Sequence, residues 1–581
     1  MESFQVMLKS LKIDSVSNFW LGVLVALPIL YICYPMLGHE PMLDDPIQIA
    51  YIRGFDSVWD CFKPDSNQWF RPFKNFIFYL TYDDVVGVKW IKAASLGIFI
   101  VNVFLVVWVL HKFFESKALA FLGAALFAYN PTNISSIQFL SAVNNQLCLT
   151  FILAVLGLGL NYAKRTADSS GDEWPQALYF DTLLCLMLAL VAYEAAIVAF
   201  ALLGVVVIAK YGWKYGFSRH GIRLWGGAAA LTFAYLILRL GAAKTVFISP
   251  SLPEGTTKIE LILRAPYYAW THFLLWAEPW GRGGVFLDDD PRDKLALGVI
   301  GWGILLGLAI WLIWALNSRL RFIAAGLLLF LVAMAPLANF FGLGNGPICN
   351  YYLLIPGFGL ALATTAIGQL LFHARWSAVR IGSMLCFALL LLANARTLST
   401  RLIAWRDATS LLELTVQNYP DNYHALAMLG VADVENGDHA AGQEKLAKSR
   451  ELAPWALHGY LIASYGYRLE GDDDQARQVL ESYESANLHL NWTIGERLAE
   501  LALIRKDWKE IERLLPDLLN TPGHPNERCR FCVRVVIPYF IVAGRLDDAR
   551  LMVEEVTSIC SSSNEEEWRL LQGYRQILSE R

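Results

Sequence analysis

Eleven apolar runs mark the first two-thirds of this chain, near residues 19–37, 90–110, 118–130, 143–162, 178–192, 195–209, 224–243, 295–316, 322–341, 351–372 and 379–395. Crossing about 30 Å of hydrocarbon takes roughly 20 apolar residues, and a helix satisfies every backbone N–H and C=O on the way. The pattern therefore predicts an all-α chain whose residues 1–397 form a membrane bundle of about eleven spans. Past residue 397, acidic and basic side chains mix with the apolar ones, which predicts a water-soluble domain over 398–581. With 56% hydrophobic and only 17% charged residues, the first part has no soluble alternative. The run at 19–37 has no small-residue cleavage site behind it and reads as a retained signal anchor.

A formal net charge of -4 gives no basic field, so nucleic acid is not expected as a partner. Basic residues gather in every second connection: Lys9 and Lys12, Lys112 and Lys117, Lys164 and Arg165, Lys210 to Arg223, Arg319 and Arg321, Arg375 and Arg380. The positive-inside rule makes that face cytoplasmic. The opposite, outer face collects Asp44-Asp45, Arg71-Pro72, Asn130-Pro131, Tyr193-Glu194, Arg282, Asp288 to Asp290 and Asn350-Tyr351-Tyr352. An odd number of spans puts the soluble domain on the outer face as well, the periplasmic side of an inner membrane.

Two segments do not fit simple crossings. In 258–280, Glu260, Arg264, Pro266 and His272 interrupt Tyr267, Tyr268, Trp270, Phe273 and Trp276, a pattern that reads as an interfacial or re-entrant amphipathic helix. The outer loop from Gly38 to Val88, about fifty residues long and rich in aromatics, is too long for a mere connection.

The soluble part repeats itself. From Asn422 a period near 34, the tetratricopeptide length, aligns Leu426, Gly430, Leu446 and Pro454 with one copy and Tyr460, Ser464, Tyr467, Ala476 and Leu480 with the next. Gly437-Asp438 and Gly471-Asp472 mark equivalent turns, and Lys506-Asp507-Trp508 and Gly544 to Ala549 mark worn later ones. Four helix pairs are expected, stacked so that a concave face can hold a polypeptide. Of the nine cysteines, Cys33, Cys148, Cys185 and Cys386 sit in apolar runs as small hydrophobes. Cys529 and Cys532 have CxxC spacing, open to a disulfide, a redox pair or half a metal site. With no second CxxC a disulfide is preferred, Cys560 being a further candidate partner.

Several stretches together resemble the GT-C class of membrane glycosyltransferases, in particular the branch that joins a multispanning domain to outer tetratricopeptide repeats. Asp44-Asp45 is similar to the acidic motif of that branch's first outer loop, and Phe70-Arg71-Pro72 to its Tyr-Arg-Pro. Asn350 to Pro356 resembles its Arg-Tyr-Leu-Tyr-Leu-Pro run, and Trp405-Arg406-Asp407 followed by Pro420-Asp421-Asn422 resembles its lead-in to the repeats. The chain departs where the branch has His-Pro followed by Glu, having Asn130-Pro131 and Ser135, and where it has Lys-Glu, having Tyr193-Glu194.

The resemblance implies transfer of a sugar from a polyprenyl-phosphate carrier to an outer-face acceptor. Such chemistry needs a carboxylate to take the acceptor hydroxyl's proton, and Asp44 or Asp45 is the candidate base. Two adjacent carboxylates repel, so the pair is expected to divide the tasks of base and ligand. A lipid phosphate leaving group suits an arginine fork. Arg71 is the first choice, Arg239 the second because an intramembrane charge is expensive, with Arg264 and Arg282 as helpers. Glu194, a lone carboxylate between apolar runs, is expected to orient Arg71 or hold a divalent cation together with Asp45. Magnesium or manganese would suit such oxygen ligands. Asn130, Tyr351 and Tyr352 are expected to support the site. Asp288 to Asp290, beside Pro291 and Arg292, reads as a solvated turn.

The glycine cluster Gly342 to Gly346 follows a helix and makes no phosphate loop, which disfavours nucleotide-driven pumping. Two other readings stay open: a non-enzymatic scaffold that recruits partners through its repeats, and a transporter. The gathering of ionisable residues at one face argues against the transporter.

Overall fold

The computed structural model describes residues 16–63, 70–82, 87–168, 175–243, 258–278, 280, 284, 295–338, 348–487, 492–520, 525–557 and 565–579. Every regular element among them is a helix, and the chain divides into two compact units, Met1–Pro420 and Asp421–Arg581. The first unit runs past the expected boundary at 397/398. Its helix Ser377–Ala404 continues unbroken through that point, and Ala408–Asn418 buries Leu411 in the same core.

In chain order the first unit holds α1 (Asn18–Cys33), α2 (Asp45–Arg53), α3 (Pro72–Thr81), α4 (Lys89–Phe114), α5 (Lys117–Ala128), α6 (Asn133–Gln138), α7 (Val143–Asp168) and α8 (Gln176–Ala192). There follow α9 (Ala199–Tyr211), α10 (Arg219–Ala243), α11 (Lys258–Ala277), α12 (Leu295–Ala315), α13 (Arg321–Met334), α14 (Leu354–Phe372), α15 (Ser377–Ala404) and α16 (Ala408–Asn418). Each of the eleven apolar runs is helical over most of its described residues. Among the described residues, eight stretches are long and apolar enough to span a membrane, and α5, α8 and α13 are shorter apolar helices. At 1.5 Å per residue, the 12 residues of α5 and the 14 of α13 cover only about 18–21 Å.

Two of the short helices stop at candidate site residues, α5 just before Asn130 and α8 just before Tyr193-Glu194. The backbone that continues from α5 is buried from Asn130 to Leu140. Burial within protein is the condition under which non-helical backbone is tolerated at membrane depth.

The basic connections meet at one end of the bundle: Lys210 donates to Phe113 O at 3.0 Å and pairs with Glu115 at 2.9 Å, and Asn18 meets His111 at 2.9 Å. Close helix contact fixes the frame. A Cβ on Gly326 of α13 would lie 2.4 Å from Ala363 N on α14, and one on Gly359 would lie 2.6 Å from Phe330 N. Only glycine permits this backbone-to-backbone packing, a common membrane device.

The segment expected to lie on the membrane surface is helical as α11 and is not among the eight spans. It is not an amphipathic helix wetting its polar side, however. Arg264 is 2% exposed and His272 is fully buried, so its polar residues face protein.

The second unit is built from paired helices: Tyr423–Glu435 with His439–Leu452, Leu457–Leu469 with Asp473–Asn487, Trp492–Arg505 with Trp508–Asn520, and Ile537–Val542 with Leu546–Thr557, followed by Glu565–Ser579. Four turns close identically. The N–H groups of Asp438, Asp472, Asp507 and Arg545 reach back to the carbonyls of Asp433, Tyr467, Ala502 and Phe540 at 2.8–2.9 Å. The residue before each, Gly437, Gly471, Lys506 or Gly544, has positive φ. This is the Schellman closure, in which a left-handed residue ends one helix, and in three of the four an aspartate then caps the next: Asp438, Asp472 and Asp507. Cys529 is disulfide-bonded whereas Cys532 is a free, buried thiol, so the CxxC pairing is not formed. Cys560 lies outside the described residues.

Candidate functional site

At the bundle end opposite the basic connections, the loop after α1 turns at Leu43, which holds the left-handed φ of 56°. That conformation costs a side-chain-bearing residue about 1 kcal/mol or more, so surrounding contacts must impose it. Asp45 supplies them. One of its carboxylate oxygens accepts the Met42 N–H at 3.3 Å, and the other accepts the Ser141 N–H at 3.0 Å and its hydroxyl at 3.3 Å. The side chain is 1% exposed, and burial pushes its carboxyl up to about 6 against the opposing pull of those N–H groups. Asp44, at the N-cap of α2, makes no capping hydrogen bond and is exposed. Partial burial raises its carboxyl above the usual range, and the Lys74 ammonium works against that rise. The pair thus divides into a buried anchor and an open carboxylate.

Lys92, one turn into α4, was not a sequence candidate. It is fully buried, and its ammonium donates to His39 O at 2.6 Å and Glu40 O at 3.1 Å, tying the start of the acidic loop to the bundle. A lysine near the end of a span ordinarily reads as snorkelling to headgroups, which is why nothing in the sequence singled it out.

Two of the sequence-predicted cations, Arg71 and Arg239, come together with Glu194. Tyr193 adopts extended backbone with φ -161°, which interrupts the helical path after α8 and sets Glu194 at the start of a short 3₁₀ turn. Its carboxylate meets Arg239 at 2.7 Å and Arg71 at 3.8 Å. Arg239 also donates to the Tyr235 hydroxyl at 2.8 Å, and Arg71 lies over the Tyr193 ring at 5.4 Å. Among the described residues the buried Arg239 Nε has no hydrogen-bond acceptor. Arg71 reaches this point because it caps α3, whose first helical residue is Pro72.

The supporting residues act mainly through the backbone. Asn130 accepts the Thr132 N–H at 3.0 Å and donates to Trp276 O at 3.2 Å, joining the buried turn to α11. Tyr351 O accepts from Ser136 and Asn145, both at 3.3 Å, and the Tyr351 and Tyr352 rings stand edge to face at 4.6 Å. On α11, Arg264 has no ion pair among the described residues, and its Nε and Nη1 are buried without acceptors. Arg282 and Asp288 to Asp290 lie outside the described residues.

A divalent cation does not fit the two residues expected to share one. Glu194 already faces two guanidiniums, and both Asp45 oxygens are taken by N–H and O–H donors. Among the described residues no group of three or more His, Cys, Asp or Glu side chains is arranged to hold a metal. Comparison with known protein families and with characterised proteins finds no match to this chain.

Proposed function

We propose that the chain is a GT-C-type membrane glycosyltransferase that moves a sugar from a polyprenyl-phosphate carrier to a hydroxyl of an outer-face acceptor, preferably a protein. The observation that carries the reading is the convergence of Arg71 and Arg239 on Glu194, with the Arg239 Nε buried and still open. Burying charged donors costs several kcal/mol per group unless partners satisfy them, and a phosphate ester presents the acceptor oxygens that would complete this set. Arg264, with Nε and Nη1 buried without acceptors among the described residues, is a further donor of the same kind.

In this reading the acceptor oxygen attacks the anomeric carbon as the bond from that carbon to the phosphate oxygen breaks. The acceptor proton passes to the Asp44 carboxylate, and the carrier leaves as a phosphate monoester with an additional negative charge. Arg71 and Arg239 stabilise that charge as it develops, the kind of electrostatic help worth most to catalysis. Asp45 serves as a positioning residue that fixes the loop bearing Asp44.

The second unit is proposed to be a tetratricopeptide-like superhelix that presents an acceptor polypeptide, on the strength of its four equivalent turns. The Cys529 disulfide supports an oxidising, outer compartment for it. The test is intact-mass spectrometry of envelope proteins from cells lacking the chain, complemented with wild type, Asp44→Asn or Arg239→Gln at equal membrane levels. Restoration of a sugar-sized increment by wild type alone is expected. Restoration by all three would remove the catalytic assignment, and no increment in any background would favour a glycan acceptor or a scaffold.

A further inference from the structure

The bundle end that carries the basic connections holds an open depression with mixed polar and apolar lining, separate from the site above. It measures about 820 Å³ and lies between the α12–α13 connection and the end of α14, with Asn317, Ser318, Arg319, Arg321, Gln369 and His373 among its lining. That volume lies in the range of ordinary ligand pockets.

Three observations bear on its occupant. Neither Arg319 nor Arg321 has a carboxylate partner among the described residues; Arg321 rests on the Phe322 ring at 4.9 Å. Helix α13 starts at the same place with no side-chain cap, its Arg321 N–H donating to Ser318 O, and the positive end of the helix dipole adds to the guanidiniums. Around the pocket, Trp314, Leu320, Leu370 and Leu371 are exposed apolar side chains. A cationic cup beside exposed apolar flanks matches an amphipathic anion better than a soluble one. Basic pockets between transmembrane helices are a recurrent means of binding anionic headgroups.

We propose that this pocket seats the phosphodiester headgroup of an anionic membrane phospholipid, held by Arg319, Arg321 and the first turn of α13 while its acyl chains lie along the apolar flank. Free phosphate shares the headgroup chemistry but leaves the flank unused.

The test uses the full chain in phosphatidylcholine nanodiscs titrated with phosphatidylglycerol, with bound lipid counted by native mass spectrometry. Wild type is expected to retain phosphatidylglycerol selectively. Arg319→Gln plus Arg321→Gln should weaken retention about thirtyfold, from roughly 1 kcal/mol per arginine. Lys214→Gln plus Arg375→Gln, an equal loss of charge outside the pocket, should leave it unchanged. Equal effects of the two double variants would mean diffuse surface attraction and overturn the proposal, as would displacement of the lipid by millimolar inorganic phosphate. A photoreactive phosphatidylglycerol on wild type keeps the question decidable if a variant fails to fold: labelling within 317–322 and 369–373 supports the seat, and labelling only elsewhere rejects it.

Discussion

The Glu194 carboxylate lies 2.7 Å from the Arg239 guanidinium, with each side chain only 12% exposed. The bond joins the short turn after α8 to the far end of α10, so two helices that enter from the basic end are locked where the candidate site begins. Removing one member of a buried pair strands the other, at about 3–5 kcal/mol. Arg239→Gln is therefore expected to lower thermal stability, and Glu194→Gln added to it should recover much of that loss. Transfer should not recover, because the donor proposed to face the phosphate is gone; a fall of about 10²–10³ in turnover is expected. Recovery of both together would make the pair purely structural.

Asp44 and Asp45 should separate in their effects. Asp44→Asn removes an exposed carboxylate without a capping bond, so stability should stay within about 0.5 kcal/mol of wild type while turnover falls about 10²–10⁴-fold. Asp45→Asn leaves one oxygen for the Ser141 N–H but turns an amide donor toward the other N–H group, so its main effect should be on unfolding. Turnover and melting temperature measured side by side decide it, and a reversed pattern would move the base to Asp45.

The same pair gives a pH signature. Asp45 titrates near 6 in the folded protein, pushed up by burial, against about 3.9 in an unfolded chain. The folded state binds this proton more tightly, so the stability it contributes is fully present below about 4 and is lost as pH rises through about 6. The loss is on the order of 2–3 kcal/mol. Chemical denaturation between pH 4 and 8 should show the decline in wild type and a flatter profile in Asp45→Asn. Matching profiles would mean that Asp45 does not titrate in this window.

Much of this arrangement was legible in the sequence, for identifiable reasons. Apolar runs specify helices because a membrane leaves few other options, and Gly437-Asp438 and Gly471-Asp472 announce their turns because a left-handed position and a cap need those residue types. Glu194 and Arg239 stood out because charge among apolar residues is costly, and Arg71 through the Arg-Pro pair of the outer loop. Helix length was less legible: the polar residues from Asn130 to Gln138 break the apolar pattern, but hydropathy does not reveal that this stretch is buried and carries the short helix α6. Direction was hidden too, since Arg264 and His272 could equally have faced water. The Cys529-Cys532 spacing suggested a partnership, yet Cys532 opens a π-helical turn with its side chain in the core.

The disulfide at Cys529 should matter to the second unit. Cys529→Ser, or mild reduction of wild type, is expected to lower that unit's unfolding midpoint by an amount equivalent to about 2–5 kcal/mol. Cys532, fully buried, should resist alkylation until the chain unfolds. Alkylation of Cys532 in the native state, or an unchanged midpoint after reduction, would contradict this account.

Arg264 offers the sharpest separation of stability from function. A buried guanidinium with two N–H groups lacking acceptors among the described residues is a net liability to the empty protein, and replacing buried charge with an apolar side chain of similar volume often stabilises by about 1–4 kcal/mol. Arg264→Met should therefore raise the melting temperature in the absence of donor. If Arg264 helps to hold the carrier phosphate, the same variant should raise the KM for donor at least about tenfold, since one charge-assisted hydrogen bond contributes roughly 1.5–3 kcal/mol. Donor-induced stabilisation should shrink in parallel. A variant that melts earlier and binds donor normally would assign Arg264 a structural role and leave Arg71 and Arg239 as the phosphate ligands. A variant that melts later yet binds weakly would mark a place where stability has been given up for binding.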